Sequence, residues 1–128
     1  MGPVDIEACL DSLVVIVDKR EQPSERAERR YKAFGSPYRR ATLNYGDYAY
    51  NFQKPDGEWF FNEEETIAAP VVIERKMDLV ELSGCLCQQR ERFEREFQRA
   101  KDHGATVYLL VEDANWENLL NGRYKTKF

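Results

Sequence analysis

Histidine and cysteine are scarce in this chain: its 128 residues include one histidine, His103, and three cysteines, Cys9, Cys85 and Cys87. An odd thiol count gives no closed disulfide framework. Cys85 and Cys87 have no second pair at ligand spacing, so a zinc cluster is disfavoured as well. No apolar stretch approaches the roughly 20 residues of a membrane span. Asp5, Glu7 and Asp11 interrupt the N-terminus where a secretion signal would need an apolar run. Internal repeats and low-complexity tracts are also missing. What remains is a single domain over 1–128, with a core expected over about 13–121, in a reducing compartment.

Hydrophobic residues make up 42% and charged residues 33%, with a net charge of −4. That charge is unevenly distributed. Five of the 23 acids lie within Asp56–Glu65, which has no base, so the other 18 face all 19 lysines and arginines. Positive surface for a polyanion is therefore available outside one acidic segment.

The run Leu13-Val14-Val15-Ile16-Val17 reads as a buried central strand. Ser24 is a helix N-cap, and Glu25–Phe34 is predicted helical, stopped by Gly35-Ser36-Pro37. A second strand is expected around Ala41–Asn44. Tyr48–Gln53 is expected to pair with Trp59-Phe60-Phe61 across a turn at Lys54–Gly57. Pro70 opens another strand, ending in Glu74-Arg75-Lys76. The longest helix is predicted from about Leu86 to Asp102, with His103 at its end and Gly104 as its stop. Thr106–Val111 reads as a strand, and Asn115–Asn121 as the start of a helix. Strands interleaved with helices around a mixed sheet make an α/β fold.

Chemistry concentrates in three stretches. Glu74 and Lys76 stand two apart on a strand and share one face, while Arg75 points away. Asp47 follows Gly46, and Asp18 and Glu21 flank Arg20 at the end of the first strand. Acids converging beside one lysine suit cation-assisted hydrolysis of a phosphodiester, for which Mg²⁺ is the natural ion. Asp47 and Glu74 are the first candidates for ligands, with the Ile73 or Arg75 carbonyl as a further oxygen. Lys76 would orient the attacking water, Asp18 and Glu21 would hold water or a second cation, and Arg20 would fix the acids or touch phosphate.

Val17-Asp18-Lys19-Arg20-Glu21, then Gly46-Asp47-Tyr48, then Val72-Ile73-Glu74-Arg75-Lys76 resembles the motif order of XPF-type structure-specific nucleases. The similarity runs from about Leu13 to Val111. It implies a restriction-endonuclease-like core, a central mixed β-sheet flanked by helices, and most resembles a stand-alone bacterial or phage member. It further implies a Mg²⁺-dependent DNA endonuclease, with Mn²⁺ as substitute, acting on branched, flap or junction DNA, and pairing as a homodimer. Localisation would be cytoplasmic, or nuclear in a eukaryote. Two departures stand out. The family's aspartate four residues past the lysine is Val80 here, leaving Asp78 or Glu81 for its role, and no tandem helix-hairpin-helix module follows. The alternative is a non-catalytic DNA-binding or scaffold subunit; a junction resolvase would share the chemistry. DNA-binding candidates are Arg29, Arg30, Arg39 and Arg40, interleaved with Tyr31, Phe34 and Tyr38, together with Arg92. Arg75 and Arg90 are supporting candidates beside phosphate.

Overall fold

The fold is described from a computed structural model, over residues 3–113. In chain order the elements are α1 (Pro3–Asp11), β1 (Val14–Asp18), α2 (Glu25–Ala33), β2 (Tyr38–Ala41) and β3 (Tyr48–Asn51). These are followed by β4 (Val71–Asp78), α3 (Leu79–Cys87), α4 (Arg90–Asp102) and β5 (Thr106–Asp113). The five strands form one mixed sheet in the order β2-β1-β3-β4-β5. β3 runs antiparallel to both neighbours, and the outer pairs are parallel. The C-terminal ends of β1, β2, β4 and β5 therefore share one rim of the sheet, with the start of β3.

Each face of the sheet buries its own core, which is why β1 needs an unbroken apolar run. Val14 and Ile16 pack with Leu43, Tyr45, Ile67 and Val72 under Ala100 of α4. Val17 and Tyr48 pack on the other face against Ala27 and Tyr31 of α2. As expected, Ser24 caps α2, its hydroxyl accepting from the Ala27 N–H at 3.0 Å. Val71, Ile73, Tyr108 and Leu110 lie on the α2 side of the sheet and are exposed. No helix among the described residues is long and apolar enough to cross a membrane.

Four expectations need adjusting. The single helix over Leu86–Asp102 is two helices, because the N–H groups of Gln88 and Gln89 both turn onto the Gly84 carbonyl at 3.0 Å and end α3 there. The second strand lies earlier than Ala41–Asn44: pairing starts where Val15 N–H meets the Pro37 carbonyl, and Arg39 and Arg40 are tolerated because β2 is an edge. The hairpin partner of β3 shrinks to one antiparallel bridge between Gln53 and Trp59. Helix α1 was not anticipated; Pro3 at its start is where proline suits a helix. The expected helix at Asn115–Asn121 lies outside the described residues.

Candidate active site

The shared rim of the sheet opens into a cavity of about 460 Å³ lined by Asp18, Arg20, Glu21, Asp47, Glu74, Arg75 and Lys76 from the sheet side. Gln22, Ser24, Ala27 and Arg30 of the α2 region, Glu81 of α3, and Gln89, Arg92, Phe93 and Glu96 from the α4 segment complete its wall. The three sequence motifs thus meet in space.

Asp47 arrives there through a tight turn. Gly46 has φ +81°, and a Cβ on it would lie 2.8 Å from Val72 Cβ, so only glycine lets the chain pass this close to β4. The Asp47 N–H donates to the Ile73 carbonyl at 2.8 Å, and its Oδ2 accepts the Arg75 N–H at 2.7 Å. Burial raises the Asp47 pKa; the Arg75 N–H and Lys76 oppose the rise, while Glu96 and Glu21 add to it.

Glu74 is 5% exposed and forms an ion pair with Lys76 Nζ at 3.1 Å. Burial, then the charges of Asp47 and Glu96, push its carboxyl up to about 8 despite that lysine. Attraction by one ammonium does not match desolvation plus two like charges. The Lys76 ammonium also lies 5.2 Å from the centre of the Phe93 ring.

Asp18 ends β1 at 4% exposure. Its Oδ2 accepts from Arg20 Nε at 2.6 Å, while its Oδ1 is buried without a hydrogen-bond partner. A buried carboxylate oxygen without a protein partner at the wall of an acidic cavity is one that a water or a hydrated cation would satisfy. No three histidine, cysteine or acidic side chains among the described residues gather into a complete metal cage. Mg²⁺ does not demand one, since it keeps several waters and takes one or two carboxylates. Asp47 and Glu74 are oxygen donors of the kind that ion takes.

Glu21 borders the cavity, but its oxygens face α2. Oε1 accepts from Tyr48 Oη at 2.6 Å and Arg30 Nη1 at 2.9 Å, and Oε2 accepts from Tyr31 Oη at 2.5 Å. Burial and this carboxylate push the Tyr31 phenol up to about 12. Arg75, as alternation requires, leaves the Glu74 face and donates to Glu112 Oε1 at 2.6 Å. That same oxygen takes Arg30 Nε at 3.0 Å.

The expected row of DNA-facing cations does not form as a unit. Arg30 is buried in this network. Arg39 is paired with Glu63 at 2.6 Å and stacked 4.1 Å from the centre of the Trp59 ring, and Arg40 donates to the Glu21 carbonyl at 2.9 Å. The interleaved Tyr31 is core, its ring centre 4.5 Å from that of Tyr38 and tilted to it by 38°. Arg29 is exposed on α2 and Arg92 lines the cavity mouth. Arg90 points outward, 71% exposed and paired with Glu94, and takes no part in the wall. The open choice between Asp78 and Glu81 narrows: the Asp78 carboxylate caps α3 by accepting the Glu81 N–H at 2.9 Å, whereas Glu81 lines the cavity.

Glu96 escaped the sequence reading. It lies 20 residues past Lys76, outside every motif, and alternates with Glu91 and Glu94 on a helix where acids are ordinary surface residues. Its helical period relative to Phe93 and Ala100 was the available signal.

No curated protein and no solved structure shows a significant match to the chain. The ERCC4 domain model matches residues 17–127, a span that contains every residue of the cavity wall. With its restriction-endonuclease-like sheet and the three motifs gathered at one rim, the chain belongs to the ERCC4 domain family, a family of nuclease type that acts on DNA.

Proposed function

We propose that the protein is a divalent-cation-dependent endonuclease that hydrolyses phosphodiester bonds in DNA, with Mg²⁺ as the working ion and Mn²⁺ as a substitute. One observation carries this reading: a half-buried carboxylate, Asp47, and a buried one, Glu74, held in each other's field beside Lys76 in an open cavity. A chain gains nothing for its own stability from that crowding, and a dication relieves it.

Asp47 and Glu74 would hold the ion, with the Arg75 carbonyl as a further oxygen and Asp18 Oδ1 accepting from one of its waters. The bound ion supplies charge to a phosphoryl oxygen and a more acidic water. Lys76, steadied by Glu74 and Phe93, orients the attacking water and balances charge gathering on the phosphoryl oxygens. Arg20 and Arg92, both exposed at the cavity, are placed to receive phosphates flanking the scissile bond. Glu21 ties Tyr31, Tyr48 and Arg30 together and is assigned the wall rather than the ion.

Branched, flap or junction DNA as the substrate rests on likeness to XPF-type nucleases. Cutting of labelled flap, splayed-arm, four-way-junction and linear duplex DNA, with and without Mg²⁺, tests both parts. Wild type should cut a branched substrate only with the ion. Asp47→Asn and Lys76→Ala should lower the rate by on the order of 10²-fold or more while DNA binding persists. Undiminished cutting by either variant contradicts the site. Ion-independent DNA binding with no cutting by wild type would favour a scaffold subunit.

The apolar stripe of Val71, Ile73, Tyr108 and Leu110 supports a homodimer, since four exposed apolar side chains line up on neighbouring strands beside the charges of Arg75 and Glu112.

A further inference from the structure

Helix α4 grips the loop that delivers Asp47. Arg99 Nε donates to the Asn44 carbonyl at 3.2 Å, the His103 ring lies 5.7 Å from the Tyr45 ring, and Ala100 is buried beneath. One turn earlier, Glu96 Oε1 accepts the N–H of Gly46 at 3.0 Å. Residues 96, 99, 100 and 103 form one helical stripe, and the loop Asn44–Gly46 lies along it. The segment leading into β4 holds the loop from the other side: Asn44 N–H donates to the Ile67 carbonyl at 2.9 Å and Tyr45 Oη to the Ala69 carbonyl at 2.6 Å. Gly46 sits between these two grips, buried and in a backbone conformation closed to other residues. Its N–H is the last donor before Asp47.

We propose that Glu96 is a positioning residue of the active site. By holding the Gly46 N–H, it fixes the direction in which Asp47 carries its carboxylate into the cavity. The inference rests on the cavity being the catalytic site, and adds a residue that none of the three motifs contains. A carboxylate is a strong acceptor for a buried amide, about twice a neutral one. Release of this contact removes the helix-side bond nearest Asp47 and leaves the loop's other bonds, to Arg99, Ile67 and Ala69, intact. The fold therefore survives, and the Asp47 carboxylate, then positioned by the β4 bonds at Ile73 and Arg75, shifts relative to Glu74 and Lys76. A shift of about 1 Å at such a group costs on the order of 10²-fold in rate.

Three substitutions separate reach from charge. Glu96→Gln keeps an acceptor oxygen at the same reach, Glu96→Asp keeps the charge one methylene too short, and Glu96→Ala removes both. Glu96→Ala and Glu96→Asp should lose about 10²-fold in kcat with KM for DNA nearly unchanged, whereas Glu96→Gln should keep most of the rate. Equal loss in the Gln and Ala variants, or full activity in the Asp variant, overturns the proposal. Amide exchange at Gly46, followed by NMR, needs no catalysis. Its proton should be protected in wild type and Glu96→Gln and lose protection in the Asp and Ala variants while both stay cooperatively folded, with Tm lowered only as far as the loss of one buried hydrogen bond requires. Unaltered protection in both shortened variants overturns the grip itself. If wild type cuts no DNA while Gly46 exchange behaves as expected, the nuclease reading falls and the positioning of the loop by Glu96 stands.

Discussion

A carboxyl group that is 5% exposed and shares a cavity with Asp47 and Glu96 gives up its proton reluctantly, and Glu74 is such a group. Unfolded, it titrates near its ordinary value of 4.5; folded, it does so at about 8. The native state therefore holds a proton that the unfolded chain has released. The stability this group contributes is complete below the unfolded pKa and is lost as pH rises through the folded one. The metal-free protein should accordingly melt at progressively lower temperature from about pH 5 to about pH 8, each pH unit weighing at most ~1.4 kcal/mol. Glu74→Gln, neutral throughout, should flatten that decline, which a series of melting curves measures; an identical slope in both proteins would count against the crowded pair. At this scale the sequence showed Asp47, Glu74, Lys76 and Asp18, because each stands in a short motif with fixed spacing. It did not show that Glu21 is occupied by Tyr31, Tyr48 and Arg30, since those partners arrive from two separate elements.

At the scale of elements, the first turn of α3 divides two acids that the sequence could not tell apart. Asp78 caps the helix and Glu81 looks into the cavity. Asp78→Ala should cost about 1 kcal/mol in denaturant unfolding, typical of a lost N-cap, and leave cutting close to wild type. Glu81→Gln should leave stability unchanged and lower the cutting rate. The reverse pattern would exchange their roles. Helix α2 was legible nearly to the residue because Ser24 and Gly35-Ser36-Pro37 mark its ends locally. The break between α3 and α4 was not: no proline or terminal glycine marks it, and the chain turns there through backbone bonds to Gly84. Edge strand β2 was misplaced because two arginines hide its pattern, and only pairing with β1 reveals it.

For the whole molecule, the order of three short motifs was enough for the sheet, since each ends a strand or leads into one at the same rim. The cationic surface was less legible, because a list of arginines does not say which are consumed inside the fold; Arg30 and Arg39 pair with acids, and Arg40 donates to the Glu21 backbone carbonyl. The exposed apolar stripe on β4 and β5, left open among the described residues, needs tertiary structure to be seen at all. If two copies meet there, Tyr108→Lys, at a residue 61% exposed, should convert a dimer to a monomer in sedimentation analysis without loss of folding. A wild-type monomer at every concentration would remove that interface. The central claim is that Asp47 and Glu74 hold one divalent cation between them. The most direct measurement is anomalous diffraction from a crystal soaked in Mn²⁺. A single peak within bonding distance of both carboxylates is the expected result; cutting of DNA supported by Mn²⁺ with no density at that position would contradict it.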